Sequence, residues 1–351
     1  MFKLAPSILA VLAVGSVGLT SPVQAGAAQL APAGHAGVPF PTAPDIAPIG
    51  VRLDKYLDVP DSAKGPPVDP AKGYRLESLG RGLYMVTDNQ YQSMFMVYET
   101  GVVVVDAPPS YASKIPQAIA EVTKLPITHL LYSHSHTDHI GGAGGLRGKP
   151  IIVAQEETRR LLVRDADPAR PIPTVTFRDK YTLKLGSQVL ELTYPGNGHE
   201  PGNIFIYAPE QKTLMAVDLV FPGWMPFRRF AVAQDLPGWL EQVRQIDKLP
   251  WTKLVGGHVT RLGTHEDVKR QIEFDDDVKA AVIAALQSTK FIDGINPADT
   301  NNLWAMVGDY TARVATQCVA TLTPKWKNRL GGFDVFVWDQ CYTMEQSLRV
   351  D

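Results

Sequence analysis

The chain of 351 residues contains only two cysteines and eight histidines. Two cysteines cannot build a four-cysteine metal site or a disulfide-dense scaffold. Neither sign of charge predominates, since 34 basic side chains face 36 acidic ones and the formal charge is −2. That balance offers no general field for nucleic acid or anionic lipid, so a nucleic-acid partner is not expected. A membrane-length apolar run is also missing near the N-terminus. The run from Ile8 to Leu19 would reach about 18 Å as a helix, against ~30 Å for a hydrocarbon core, which excludes a stable anchor there. No internal repeat appears. An apolar content of 45% with 20% charged residues is ordinary globular composition and excludes a disordered chain.

What the N-terminus does have is Lys3, the short apolar run and small residues at Val23-Gln24-Ala25. These are the parts of a secretory signal peptide, assigned to residues 1–25. No twin arginine precedes the run and no cysteine follows it, which favours the general export route without lipid attachment. The protein is therefore expected in the periplasm or outside the cell. Residues 26–72 are rich in Ala, Pro and Gly and read as an extended tether, with His35 a solvated linker residue. In an oxidising compartment two thiols more often pair than stay free, so Cys318 and Cys341 are expected to form a disulfide. Closing that loop would stabilise the fold by about 3 kcal/mol in the chain-entropy view. The alternative is two buried thiols far apart.

From Gly73 the pattern becomes short β-branched and aromatic runs separated by turn residues. Strands are predicted at 83–87, 94–98, 102–105, 127–132, 151–154, 188–192, 204–207 and 214–217. Helices are predicted at 116–122, 156–163 and 237–249, the last begun by Asp235 as N-cap. Interleaved strands and helices argue for an α/β arrangement with apolar strands buried between layers. Two long helical patterns follow, about 266–288 and 300–321, and then an aromatic-rich tail from Trp326 to Tyr342. The domains expected are a catalytic unit over 73–265 and a helical C-terminal extension over 266–351.

Three of the eight histidines fall within six residues, in His134-Ser135-His136-Thr137-Asp138-His139. This segment follows a strand and precedes the Gly-rich turn at 141–145. Residues two apart on extended chain project to one side, so His134 and His136 can grip one ion, while Asp138 and His139 can face a neighbouring one. A single loop cannot close two coordination spheres. His199, Asp218 and His258 each follow a strand-like run, and together they supply the missing donors.

These residues resemble the metallo-β-lactamase-fold superfamily, whose motif HxHxDH stands here at 134–139 and whose later His, Asp and His match His199, Asp218 and His258. The resemblance covers roughly residues 73 to 265. It implies a four-layer αββα sandwich with metals at the sheet edges. It places one zinc on His134, His136 and His199 and a second on Asp138, His139 and His258, with Asp218 bridging. Asp106, which closes Val102 to Val105, resembles the family's acidic residue behind the metal site, where it would orient a ligand. An acidic residue at 218 is similar to glyoxalase II, lactonases and related esterases rather than to the clinical zinc β-lactamases. His136 stands where redox di-iron members typically carry Glu, which favours zinc hydrolysis. Glyoxalase II itself acts on a glutathione thioester, a cytoplasmic substrate.

Two such ions sharing a hydroxide would provide a nucleophile at neutral pH, with Asp138 orienting it and carrying a proton to the leaving group. The reading is an exported zinc hydrolase of a small ester, lactone or amide. The alternatives are a β-lactam hydrolase, an iron-dependent sulfur dioxygenase and a non-catalytic binding module. The segment Phe221 to Phe230 follows the Asp218 strand. Its Phe221, Trp224 and Phe227 suit an apolar acyl or aromatic group, and Arg228 and Arg229 an adjacent anion. Alternatively, those aromatics simply pack the loop against the sheet or the C-terminal helices.

Overall fold

The computed structural model describes residues 53–293 and 300–351. The expected signal peptide and most of the expected tether lie outside the described residues.

The first strands, β1 (Arg75–Gly80), β2 (Leu83–Thr87), β3 (Gln92–Tyr98) and β4 (Gly101–Val105), form an antiparallel meander. A short helix, α1 (Ile115–Ala120), crosses to β5 (Ile127–Leu131), which is parallel to β4. The single turn α2 (Thr137–Ile140) carries the end of the histidine motif and leads to β6 (Ile151–Gln155), α3 (Glu156–Asp165) and β7 (Val175–Phe177). Among the described residues these strands make a seven-stranded sheet in sequence order. A second sheet of five strands has the order β12-β11-β10-β9-β8. It comprises β8 (Lys180–Leu185), β9 (Gln188–Thr193), β10 (Phe205–Ala208), β11 (Thr213–Ala216) and β12 (Lys253–Val255). Between β11 and β12 come a single turn, α4 (Arg228–Val232), and the helix α5 (Leu236–Lys248), whose N-cap Asp235 accepts a hydrogen bond from Gly238 N–H.

The valines of β4 show how the layers arise. Val103 and Val105 face the second sheet, meeting Leu192, Ile206, Met215 and Val217 in the core between the sheets. Val102 and Val104 point the other way, against Tyr111, Ile115 and Ile119. A strand covered on both faces reads as a continuous apolar run because its period-two alternation has no polar side. The outer face of the second sheet is covered by α5 together with α6 (His265–Ser288), α7 (Leu303–Trp326) and α8 (Phe333–Val350). The result is the expected four-layer αββα sandwich.

The helices α6, α7 and α8 fold back onto the second sheet. Phe274, Val282, Trp326, Phe333 and Val337 share one buried cluster with Trp239, Leu214 and Leu254. Cys318 of α7 and Cys341 of α8 are joined there, with an S–S distance of 2.08 Å and a Cα–Cα distance of 6.0 Å. The described part of the expected tether packs on this body. Ala63 is buried, Leu57 N–H donates to Asp334, and the Ala63 carbonyl accepts from the Trp224 indole.

Apart from β12, read only as the strand-like run before His258, three strands were not anticipated, and all three are sheet edges. β1, β7 and β8 alternate half-exposed polar residues such as Glu77, Thr176, Thr182 and Lys184 with few buried ones, so their sequences lack the dense apolar signal of the centre. The tail, read only as aromatic-rich, contains α8. Its buried face includes Asp334, Asp339, Gln340 and Glu345, which interrupts the apolar period that would have marked it as a helix.

Candidate metal centre

The donors gather at one edge because every strand that carries one ends there. His134 and His136 follow β5, His199 follows β9, Asp218 follows β11 and His258 follows β12, while Asp106, which lies behind the donors, follows β4. His134, His139 and His199 are buried, Asp218 nearly so, while His136, Asp138 and His258 stay partly open to solvent. Two groups result, one of His134, His136, His199 and Asp218, the other of Asp138, His139 and His258.

Asp218 lies between them. Its Oδ2 is 3.1 Å from His199 Nε2, 3.3 Å from His139 Nε2 and 3.4 Å from His134 Nε2, while Oδ1 is 2.9 Å from His258 Nε2. The carboxylate thus touches both groups. Burial opposes its ionisation, but the charges of His139, His258 and His199 hold it well below the usual carboxylate range. Burial works against a proton on His139, and Asp218 with Asp138 and Asp106 pulls its pKa the other way, to about 9. Burial and the neighbouring histidines push His134 well below its ordinary value. Asp218 also holds a left-handed backbone conformation (φ 63°), as Asp106 does (φ 61°). Such strain in non-glycine residues persists where the surroundings over-determine it.

The pattern of lone pairs fits cations. His139 Nε2 faces His258 Nε2 at 3.0 Å, and His199 Nε2 faces His136 Nδ1 at 3.0 Å. His134 Nε2 is fully buried and makes no hydrogen bond. An orphaned, buried ring nitrogen aimed into a cluster of imidazoles and a carboxylate is costly unless a metal uses it. The His/Asp groups therefore constitute a divalent-metal site.

Residues behind the donors fix their orientation. Ser133 Oγ lies 2.9 Å from His134 Nδ1 and so leaves Nε2 to point inward. Asp106 accepts from Ser133 N–H at 2.8 Å through Oδ1, while burial, partly offset by His139, raises its pKa to about 6. His258 Nδ1 lies 3.2 Å from the Gln90 carbonyl, and the Tyr91 ring packs against both His258 and His139. Trp239 Nε1 donates to the Asp218 carbonyl at 2.9 Å.

One contributor went unread in the sequence. Glu200 is buried, accepts from both Ser135 N–H (2.9 Å) and Ser135 Oγ (2.8 Å), and lies 3.4 Å from His136 Nε2. It braces the motif loop and faces His136 on the ring edge away from His199. The available signal was an acid directly after His199 in a Gly/Pro turn, where solvent exposure is the ordinary expectation.

The segment after Asp218 divides. Phe221 stacks 6.0 Å from the His258 ring, and Trp224 and Phe227 line an adjoining cleft of about 220 Å³. Arg228 and Arg229 do not line it; they turn to the buried Asp339 of α8, at 3.3 and 3.8 Å. Residues 229–232 take left-handed conformations in succession, with φ between 51° and 57°. Each such non-glycine residue costs about 1–2 kcal/mol, so this turn exists only because α8 holds it. His265 stands apart from the centre, stacked on Trp251 and hydrogen-bonding distance from Asp247.

The fold and site define a two-sheet metalloprotein with its donors at the strand ends. Residues 86–258 match the profile of the metallo-beta-lactamase superfamily, and this part of the chain is a domain of that family. The chain is 27% identical over 218 residues to the 2,4-dinitroanisole O-demethylase subunit alpha of a Nocardioides species, covering 60% of this chain and 65% of that one. It is 24% identical over 186 residues to the metallo-beta-lactamase type 2 of Elizabethkingia meningoseptica, covering 50% of this chain and 73% of the other. With a Bacillus metallo-beta-lactamase type 2 it shares 28% identity over 127 residues, which is 34% of this chain and 47% of that one. The chain therefore spans just under two thirds of the demethylase subunit and about half of the Bacillus enzyme. In fold it is similar to a metallo-beta-lactamase from Pontibacter korlensis, with a TM-score of 0.51 and 21% identity over 57% of this chain and 97% of that one.

Proposed function

We propose that this chain is an exported hydrolase that uses two zinc ions to cleave a small ester, lactone or amide. The observation that carries this reading is the meeting of two donor groups on one carboxylate, Asp218. His134, His136 and His199 would hold one ion, and Asp138, His139 and His258 the other. Zinc in such a site supplies Lewis acidity toward water and toward an acyl oxygen.

The remaining work falls to the chain. Asp138 Oδ2 lies 3.6 Å from His139 Nε2 and 3.7 Å from His258 Nε2, and its side chain is open to solvent. Its carboxylate can take the proton of an attacking water and return it to the leaving oxygen or nitrogen. Hydrolysis then balances with water as the only co-reactant, giving an acid and an alcohol or amine. Phe221, beside His258, limits water on one side of the centre. Export is supported by the N-terminal segment and by the Cys318–Cys341 bond.

A second reading is hydrolysis of an activated aryl ether to a phenol and an alcohol. It is favoured by the likeness to the dinitroanisole demethylase subunit and by the aromatic cleft beside His258. Zinc-loaded protein assayed against aryl esters, lactones, amides, thioesters, β-lactams and 2,4-dinitroanisole separates the readings. Turnover of an acyl substrate that is lost on chelation supports the first, and phenol release from the ether the second. Oxygen uptake with iron as the working metal, or no turnover at two bound zinc ions, overturns both.

A further inference from the structure

The cleft next to the metal centre is completed by α8, outside the stretch that matches the family profile. Its walls are Phe221, Trp224, Phe227, Val259 and Phe336, and His258 opens it to the metal donors. Phe336 of α8 meets Phe227 edge to face, with ring centroids 5.2 Å apart. Among the described residues that line it, none is an Asp, Glu, Lys or Arg. The two arginines nearest in sequence, Arg228 and Arg229, turn to Asp339 of α8 and do not line the cleft.

The same helix sets the shape of the wall. Gln340 is fully buried; its Oε1 accepts from Phe230 N–H at 2.6 Å, and its Nε2 donates to the carbonyls of Pro226 (2.7 Å) and Phe227 (3.1 Å). These bonds hold the left-handed turn at 229–232 from which Phe227 is presented. On the opposite wall, Trp224 is pinned by its hydrogen bond to Ala63 and by Gly331, where a Cβ would come within 2.7 Å of the indole. A strained turn held by three hydrogen bonds to one side chain keeps a half-exposed phenylalanine at the mouth of an uncharged cleft.

We infer that α8 is the specificity element of this protein: Phe336 and Phe227 form the far wall of a pocket for an uncharged alkyl or aryl group of the substrate, with Gln340 as the positioning residue. The inference rests on the hydrolase reading for its substrate and on the cleft alone for its binding. An apolar group seated there gains about fourfold in affinity per buried methylene.

Two measurements test it on the full-length, zinc-loaded protein. The first is the ratio of kcat/KM for octanoyl over acetyl aryl esters. Phe336→Ala should lower that ratio roughly tenfold through KM. Gln340→Ala should move it the same way while zinc content is retained. The second is calorimetric binding of straight-chain methyl ketones of increasing length, which needs no turnover. Affinity should climb with chain length in the native protein and flatten in Phe336→Ala. An unchanged ester ratio, or equal slopes for the ketones in both proteins, overturns the inference. If no ester is cleaved but the ketone slope behaves as expected, the hydrolase reading fails and the pocket stands.

Discussion

The two halves of the sandwich contribute to the metal edge in opposite ways. The first sheet delivers His134, His136, Asp138 and His139 from one loop after β5, where local chain geometry sets their spacing. The second sheet delivers His199, Asp218 and His258 singly, each after a different strand, and only the pairing of β9 through β12 brings them together. The first half presents a local claw; the second closes it only when the fold is complete.

Buried acids sharpen the contrast between the metal edge and the helical layer. Asp218 is surrounded by imidazoles and stays ionised. Asp275 of α6 is equally buried, neither of its oxygens is hydrogen-bonded, and burial drives its pKa well above the usual carboxylate range, with Arg244 opposing only in part. Burial alone neutralises an acid, so a charged buried carboxylate marks a site whose neighbours are arranged for it.

The largest expected effect breaks the junction between the halves. Asp218→Ala should lose metal from both donor groups and abolish hydrolysis, whereas Asp138→Ala should retain the ion held by His134, His136 and His199. Metal analysis beside rate measurements checks this, and two ions with an unchanged rate in Asp218→Ala would defeat the bridging role.

In the helical layer, Cys341→Ser should cost about 3 kcal/mol of stability while leaving the metal donors untouched, because the bond joins α7 to α8. Denaturant unfolding without reductant, with metal content measured in parallel, reads both effects. Next comes the brace behind the claw. Glu200→Ala should weaken metal binding by about 10–100-fold, and Glu200→Gln should recover part of it by still accepting from Ser135. Competition with a chelator of known affinity measures the difference; equal affinities would assign Glu200 to packing.

The smallest effect concerns Asp275. Its folded-state pKa is raised, so above about pH 4 the folded chain keeps a proton that the unfolded chain releases. The unfolded state then binds fewer protons, and stability falls as pH rises toward the folded-state pKa. Asp275→Asn removes that dependence, so its advantage over the native protein should grow between pH 5 and pH 8 in urea midpoints. A constant difference across that range would contradict the sign.

Much of the central fold was legible because buried strands leave dense apolar runs. The valines of β4 and the β11 run before Asp218 needed no knowledge of their partners to be read. The motif loop was legible for a related reason, since four donors within six residues are close whatever the rest of the chain does. The edge strands β1, β7 and β8 were not, because half their residues face solvent and carry polar side chains. Glu200 was missed because an acid in a turn is ordinarily solvated, and only its bonds to Ser135, 65 residues away, show otherwise. Arg228 and Arg229 were expected to await an anion; Asp339, more than a hundred positions later, takes both.

By itself the sequence determined which residues could ligate metal and the alternation that buries both faces of the central strands, because both follow from spacings of a few residues. The tertiary structure decided which imidazole nitrogens face one another, that Asp218 touches both donor groups, and that a left-handed turn clamped by Gln340 walls the cleft. Those outcomes depend on groups far apart in the chain, whose encounter is set by the packing of sheets and helices and leaves no local trace.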